Sequence, residues 1–434
     1  MKCTPVTLHG SVLVALLLSG AQTPILAQDS STDLSVVRAA RVIDGRGNVL
    51  TKAAIVVRGD RIADLLQGDA ADRAARRAAV VYDLGNATIL PGLIDGHVHL
   101  NGYFNSSGRL HTNNDGDTPA QATLAIANNL RRMLQSGVTT AQSMGASEDA
   151  TYRSAVKNGW VEGPRIITTL NPITNEQLTS DSLRALVRRR KADGADAIKI
   201  FASKSIREGG TTTMNAEQLA ALCGEAKANG LRSMVHAHSA ESIRLSVLAG
   251  CSQIEHGVFV TPDVLRLMSE RGTYFEPQCG LIFKNYLDNR AAYQGIGNFN
   301  DEGFASMERA MPLAASVIRQ ASSTPRLKLI WGTDAVAGAH GREVEDLICR
   351  VRDGGQPAMA ALTSATSLAA EALGLDGEIG TIAKGYRADI IATNGDPSHS
   401  IEALRRVTFV MQSGRVHRVD APARVVSRPP ATSP

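Results

Sequence analysis

The stretch Leu90-Pro-Gly-Leu-Ile-Asp-Gly-His-Val-His99 carries an apolar run into two histidines one residue apart. Side chains alternate along an extended strand, so His97 and His99 point the same way. Two neutral imidazoles side by side at a strand end are half of a site for zinc or a similar ion. Further candidates follow in order. Lys199 lies inside Ala197-Ile-Lys-Ile-Phe201, and His236 and His238 end Met234-Val-His-Ala-His238. His256 ends Ile254-Glu-His-Gly257, and Asp334 ends Trp331-Gly-Thr-Asp334. Singly, each has an ordinary explanation: a hydrogen-bonded core histidine, an aspartate at a helix N-cap, a lysine reaching water along its stem. An ammonium between two isoleucines in a buried strand, however, needs pairing or modification. Independent accidents would not fall at successive strand ends in this order.

The elements that must position these groups alternate. Candidate strands lie at 88–94, 138–141, 165–168, 197–201, 232–235, 253–255, 273–276 and 328–331. Helical patterns fall between them, for example at 120–135, 216–229 and 261–271. This alternation predicts an α/β chain with a (β/α)8 TIM barrel over 89–375, its active residues at the C-terminal strand ends. A doubly wound open sheet is the alternative, but no Gly-rich phosphate loop opens a helix. Strand-rich segments at 34–88 and 376–420 predict a small β-sandwich domain formed by both termini. The Pro/Ser-rich stretch 421–434 is expected to be a disordered tail.

Composition narrows the function classes. A chain of 434 residues accommodates a barrel and an accessory domain. The net charge is only +4, and Arg188-Arg-Arg-Lys191 reads as a solvated helix face, so nucleic acid is not an expected partner. Lys2, the apolar run 11–18 and Ala27 read as an export signal over 1–27, which predicts a periplasmic or secreted protein. The apolar run is too short for an ordinary membrane span, so no membrane attachment is expected after cleavage. Cys3 would leave with the signal. Cys223, Cys251, Cys279 and Cys349 show no CxxC spacing and are expected as small apolar core residues. A disulfide among them is open in an oxidising compartment, with no pairing specified.

The constellation resembles the amidohydrolase superfamily in its two-metal form, from about residue 42 to 416. The matching motifs are the HxH segment, Ile198-Lys-Ile200, Val235-His-Ala237, Glu255-His-Gly257, Gly332-Thr-Asp334 and the late Gly380-Thr-Ile-Ala-Lys-Gly-Tyr-Arg-Ala-Asp-Ile-Ile391. The resemblance implies two divalent metal ions, with zinc the expected metal. His97, His99 and Asp334 would hold the more buried one, and His236 and His256 the more exposed one. Lys199, carboxylated by CO2, would bridge them as an anionic ligand. A bridging hydroxide would attack, and Asp334 would take its proton and pass it to the leaving amine. His238 would contact substrate or orient a ligand.

Lys199-Ile-Phe-Ala-Ser203, Met214-Asn-Ala-Glu-Gln-Leu219, Gly230-Leu-Arg-Ser-Met-Val-His-Ala-His238 and Ala339-His-Gly341 resemble the Xaa-Pro dipeptidase and ochratoxinase-like branch. That likeness implies a small-molecule amide substrate cleaved before a C-terminal amino acid. The chain departs from many relatives at Thr169-Leu-Asn-Pro-Ile-Thr174 and at Gln142-Ser143. The segment 279–303 reads as a long loop whose Phe283, Tyr286, Tyr293 and Phe299 would cover an apolar substrate group or pack on themselves. Arg207, His340 and Arg342 are candidates for a substrate carboxylate. A homo-oligomer is expected. Competing readings are action on a lactone or cyclic imide, a one-metal deaminase, and a non-enzymatic metal-binding protein. The last two fit less well: no carboxylate follows His236 closely, and a structural zinc site is closed by four ligands.

Overall fold

The computed structural model describes Met1, residues 34–420 and residues 424–427. The expected export signal lies outside the described residues, save Met1. Three sheets organise the chain. A parallel sheet of three strands comprises Leu93–Val98, Val138–Ser143 and Arg165–Thr168. A parallel sheet of five runs in the order Lys328–Leu329, Tyr274–Glu276, Gln253–Phe259, Arg232–Ser239, Ala197–Phe201. Helices separate most consecutive strands, and strands such as Leu93–Val98 and Val138–Ser143 are buried at every position. Continuous burial is what a parallel sheet covered on both faces requires.

Isolated bridges link each parallel sheet to a segment that follows a strand of the other. On one side Val98 bridges Ala335, and the amide of His99 donates to Ala335 O at 2.8 Å. On the other, Ile173 bridges Ile200, and its amide donates to Lys199 O at 2.8 Å.

The third sheet has nine strands and draws on both ends of the chain, between Leu34 and Pro91 and between Ile390 and Ser427. Arg424–Ser427, inside the stretch expected to be disordered, pairs antiparallel with Val80–Asp83. The expectation is corrected over those four residues: alternating backbone pairing with an available edge outweighs their poor composition.

The single strand expected over 88–94 divides at Gly92. Thr88–Pro91 pairs with Ile390–Thr393 in the nine-stranded sheet, while Leu93 begins the three-stranded one. The Gly92 amide donates to Asp389 O at 2.9 Å and the next amide to Gly137 O at 3.0 Å, so successive peptide groups serve different sheets. A Cβ on Gly92 would lie 2.1 Å from Thr139 Oγ1, so only glycine fits this crossing.

Helices start where the caps direct. Pro119–Gln135 opens on Thr118, whose hydroxyl accepts from the Gln121 amide while the Gln121 side chain accepts from the Thr118 amide. It buries Ile126, Leu130, Met133 and Leu134, a face contributing roughly 1.5–3 kcal/mol per large side chain. Asn215 and Gln218 form the same box at the start of Ala216–Ala228. Among the described residues, no helix is long and apolar enough to cross a membrane.

The four cysteines are not free core residues. Cys223 pairs with Cys251, and Cys279 with Cys349. Both pairs join segments distant in sequence, which is why spacing gave no pairing.

Candidate active site

The C-terminal strand ends bring the candidate ligands to one place. His97, His99, Lys199, His236, His238, His256 and Asp334 line a single cavity of about 420 Å³. His97 Nε2 and His99 Nε2 lie 3.3 and 3.1 Å from the same oxygen, Asp334 Oδ1. The rings of His236 and His256 are 4.5 Å apart, and His256 is 5.1 Å from His97, so the two groups adjoin.

The backbone is bent to achieve this. His256 and Asp334 have φ of 68° and 56°, the left-handed region that non-glycine residues rarely occupy. Each costs on the order of 1–3 kcal/mol and turns a side chain from a strand end into the cavity. Behind His256, a Cβ on Gly257 would strike the Phe275 ring at 2.6 Å.

Burial dominates the electrostatics. It pushes His97 and His238 down to about 3 and His236 and His256 well below the ordinary histidine value. Neutral imidazoles are the metal-binding form. Burial also lowers Lys199 to about 7, leaving its amine substantially uncharged near neutrality. Burial alone would raise the Asp334 carboxyl, but the His97 and His99 imidazoles beside it hold it well below the usual range.

The donor set fits a metal centre. His97 Nε2, His238 Nδ1 and Glu255 Oε1 are buried polar atoms without a hydrogen-bond partner. Among the groups whose ligand atoms converge are His97/His99/Asp334, His236/His238/His256 and His97/Glu255/His256. His238 thus sits among potential ligands.

Several residues that matter here were not singled out from sequence. Glu255, quoted only as part of a motif, is fully buried and accepts from Lys199 Nζ. Glu276 Oε2 lies 2.9 Å from His97 Nδ1, and Gln278 Oε1 lies 2.7 Å from His256 Nδ1. Their signal was faint: polar residues at the end of a short strand.

Arg207 and Tyr286 reach the cavity, but two other expected contacts do not. His340 is buried behind the site, its Nε2 3.2 Å from His99 O. Arg342 lines a separate groove with Arg132 and Arg405. Gly341 between them takes the left-handed φ of 86°. The expected long loop 279–303 is in fact two short helices, Leu281–Asp288 and Arg290–Tyr293, then a turn into the helix Asp301–Ser323. Its aromatics both pack together and line the cavity: the Tyr286 and Phe299 ring centroids are 5.0 Å apart. The Arg207 guanidinium lies 4.1 Å from the Phe299 centroid and 5.4 Å from that of Tyr286.

Parallel sheets with a histidine, lysine and aspartate cluster at their C-terminal ends define a hydrolase of the amidohydrolase class. The chain belongs to the amidohydrolase family, whose pattern matches residues 88–419. Ochratoxinase of Aspergillus niger is 23% identical over 445 aligned residues, covering 91% of this chain and 88% of that protein. Among solved structures, an Xaa-Pro dipeptidase with methionine bound in its active site is 27% identical, with a TM-score of 0.77. That match covers 89% of this chain and all, 100%, of the dipeptidase. The fold also matches Aspergillus niger ochratoxinase at TM-score 0.74 and 20% identity, covering 90% of this chain and 98% of that one.

Proposed function

We propose that this hydrolase cleaves the amide bond before a C-terminal amino acid, in dipeptides or N-acyl amino acids with apolar or aromatic groups. An ochratoxin-like N-aroyl phenylalanine falls in this class. The observation that carries the reading is one cavity lined both by the ligand cluster and by Arg207 among aromatic rings. The relatives named for prolidase-type and ochratoxin-cleaving activity support it.

In this reading the two parallel sheets are arcs of one (β/α)8 barrel, closed by the Val98–Ala335 and Ile173–Ile200 bridges. The nine-stranded sheet is the accessory β-sandwich. Export to the periplasm or medium agrees with two disulfides.

His97, His99 and Asp334 would hold one divalent ion, His236 and His256 a second, and Lys199, carboxylated, would bridge them. When bound, two such ions polarise the amide carbonyl and activate water near neutral pH. Asp334, ionised and at the cavity, would accept the water's proton on a carboxylate oxygen and return it to the departing amine nitrogen. Arg207 would hold the substrate carboxylate, and the rings around it would take the apolar side chain and exclude water.

The deciding experiment compares kcat/KM for an N-acyl phenylalanine and its C-terminal amide. The free acid is expected to be strongly preferred. Equal values overturn carboxylate recognition. Turnover of a lactone or cyclic imide with no acyl amino acid cleaved moves the chain to another branch of the superfamily.

A further inference from the structure

Glu276 and Gln278 have no step in the reaction above, yet they join the two halves of the cluster. Gln278 Nε2 donates to both oxygens of Glu276, at 2.9 and 3.1 Å. With its amide nitrogen committed to Glu276, the Gln278 oxygen faces His256 and accepts. His256 therefore carries its proton on Nδ1, where Gln278 Oε1 lies 2.7 Å away, and presents a bare Nε2. The 2.9 Å contact of Glu276 Oε2 to His97 Nδ1 does the same for His97. His97 Nε2 is one of the buried atoms with no hydrogen-bond partner among the described residues. An unbroken chain, His97–Glu276–Gln278–His256, thus sets the tautomer and ring angle of one histidine from each proposed metal position.

The surroundings hold this chain still. Arg350, fully buried, donates to Pro277 O and, at 2.9 Å, to Ile330 O. It pairs with Asp346, which also accepts from the Cys279 amide at 2.7 Å. The Cys279–Cys349 disulfide ties the same segment down. At Gly332 a Cβ would lie 2.5 Å from Glu276 Oε1 and 2.9 Å from His97 Cβ, so the Gly332-Thr-Asp334 motif needs glycine to make room for this carboxylate.

We propose that Glu276 and Gln278 are positioning residues that couple the two metal positions, so that losing Gln278 weakens both although it touches only one of the histidines. The proposal rests on the two-metal reading of the site. Outer partners of this kind typically contribute about 10–100-fold in metal affinity.

The test uses Gln278→Met, which keeps the volume and removes both hydrogen bonds, with Gln278→Ala as the second variant should the first not fold. Metal-free protein is titrated with Zn2+ in competition with a chelator, and both stepwise constants are read. The expected result is about a 10–100-fold loss in each constant, with the melting temperature of the metal-free protein little changed. Histidine 15N–1H spectra of metal-free protein should show Nδ1-protonated His97 and His256 in the parent, and mixed tautomers for both in the variant. Weakening confined to one constant, or an unaltered His97 tautomer, overturns the coupling while leaving the two-metal reading intact. A parent chain that binds a single Zn2+ overturns the two-metal reading and the coupling with it.

Discussion

The Lys199 amine donates directly to the Glu255 carboxylate, and neither side chain is more than 1% exposed. The pair accounts for a lysine deep in a parallel strand without any metal. It also leaves a carboxylate placed to accept the one remaining N–H if the amine takes up CO2. Lys199→Ala should therefore lose most activity, and short carboxylic acids should restore part of it by replacing the bridge. A 13C carbamate signal should appear when the parent is loaded with metal and 13C-bicarbonate. Full activity in Lys199→Ala removes the bridging role.

Asp334 is held ionised beside His97 and His99, the state a proton acceptor needs. Asp334→Asn should retain the fold and much of its metal, while kcat falls about 10²–10⁴-fold, the usual contribution of a positioned acid or base. Metal analysis and steady-state kinetics on one preparation check this. Loss of metal as the sole change would recast Asp334 as chiefly a ligand.

Arg207 lies over the aromatic wall of the cavity. Arg207→Met should lower kcat/KM for an N-acyl phenylalanine about 10–100-fold, the range of a hydrogen bond to a charged group. The C-terminal amide should be affected far less. A parallel loss on both substrates would mean that Arg207 supports the wall rather than binding the carboxylate.

The Cys279–Cys349 disulfide closes a loop of 70 residues by sequence separation and anchors the segment that carries Gln278. Cys349→Ser should cost about 2–5 kcal/mol in denaturant unfolding under oxidising conditions. Under reducing conditions the parent and the variant should converge. Identical unfolding curves without reductant would mean the bond does not form in the folded protein.

Burial lowers His340 from 6.5 to about 3, as it does His97 and His238. The folded values lie below the unfolded one, so the unfolded chain binds protons first as pH falls. Stability is complete above pH 6.5 and drains away toward pH 3. Denaturant midpoints of metal-free protein should fall steeply across that window, and His340→Gln should flatten the slope. An unchanged slope in the variant would show that His340 is not carried neutral into the fold.

Much of the site was legible because strand alternation is local. His97 and His99, or His236 and His238, share a side of a strand by covalent geometry alone, and Lys199 between two isoleucines is anomalous wherever that strand packs. Capped helices such as Pro119–Gln135 and Ala216–Ala228 follow from side chains within one turn of their starts. What sequence could not supply depends on groups brought together from far apart. Glu276 meets His97 across 179 positions, and Lys199 meets Glu255 across 56. The partners of four cysteines, the split at Gly92 between two sheets and the turning of His340 and Arg342 out of the cavity are likewise set by how strands assemble. Local periodicity determines which residues can face the site. Long-range pairing alone decides which carboxylate or amide stands behind each ligand, because a strand pattern carries no information about its neighbour's register.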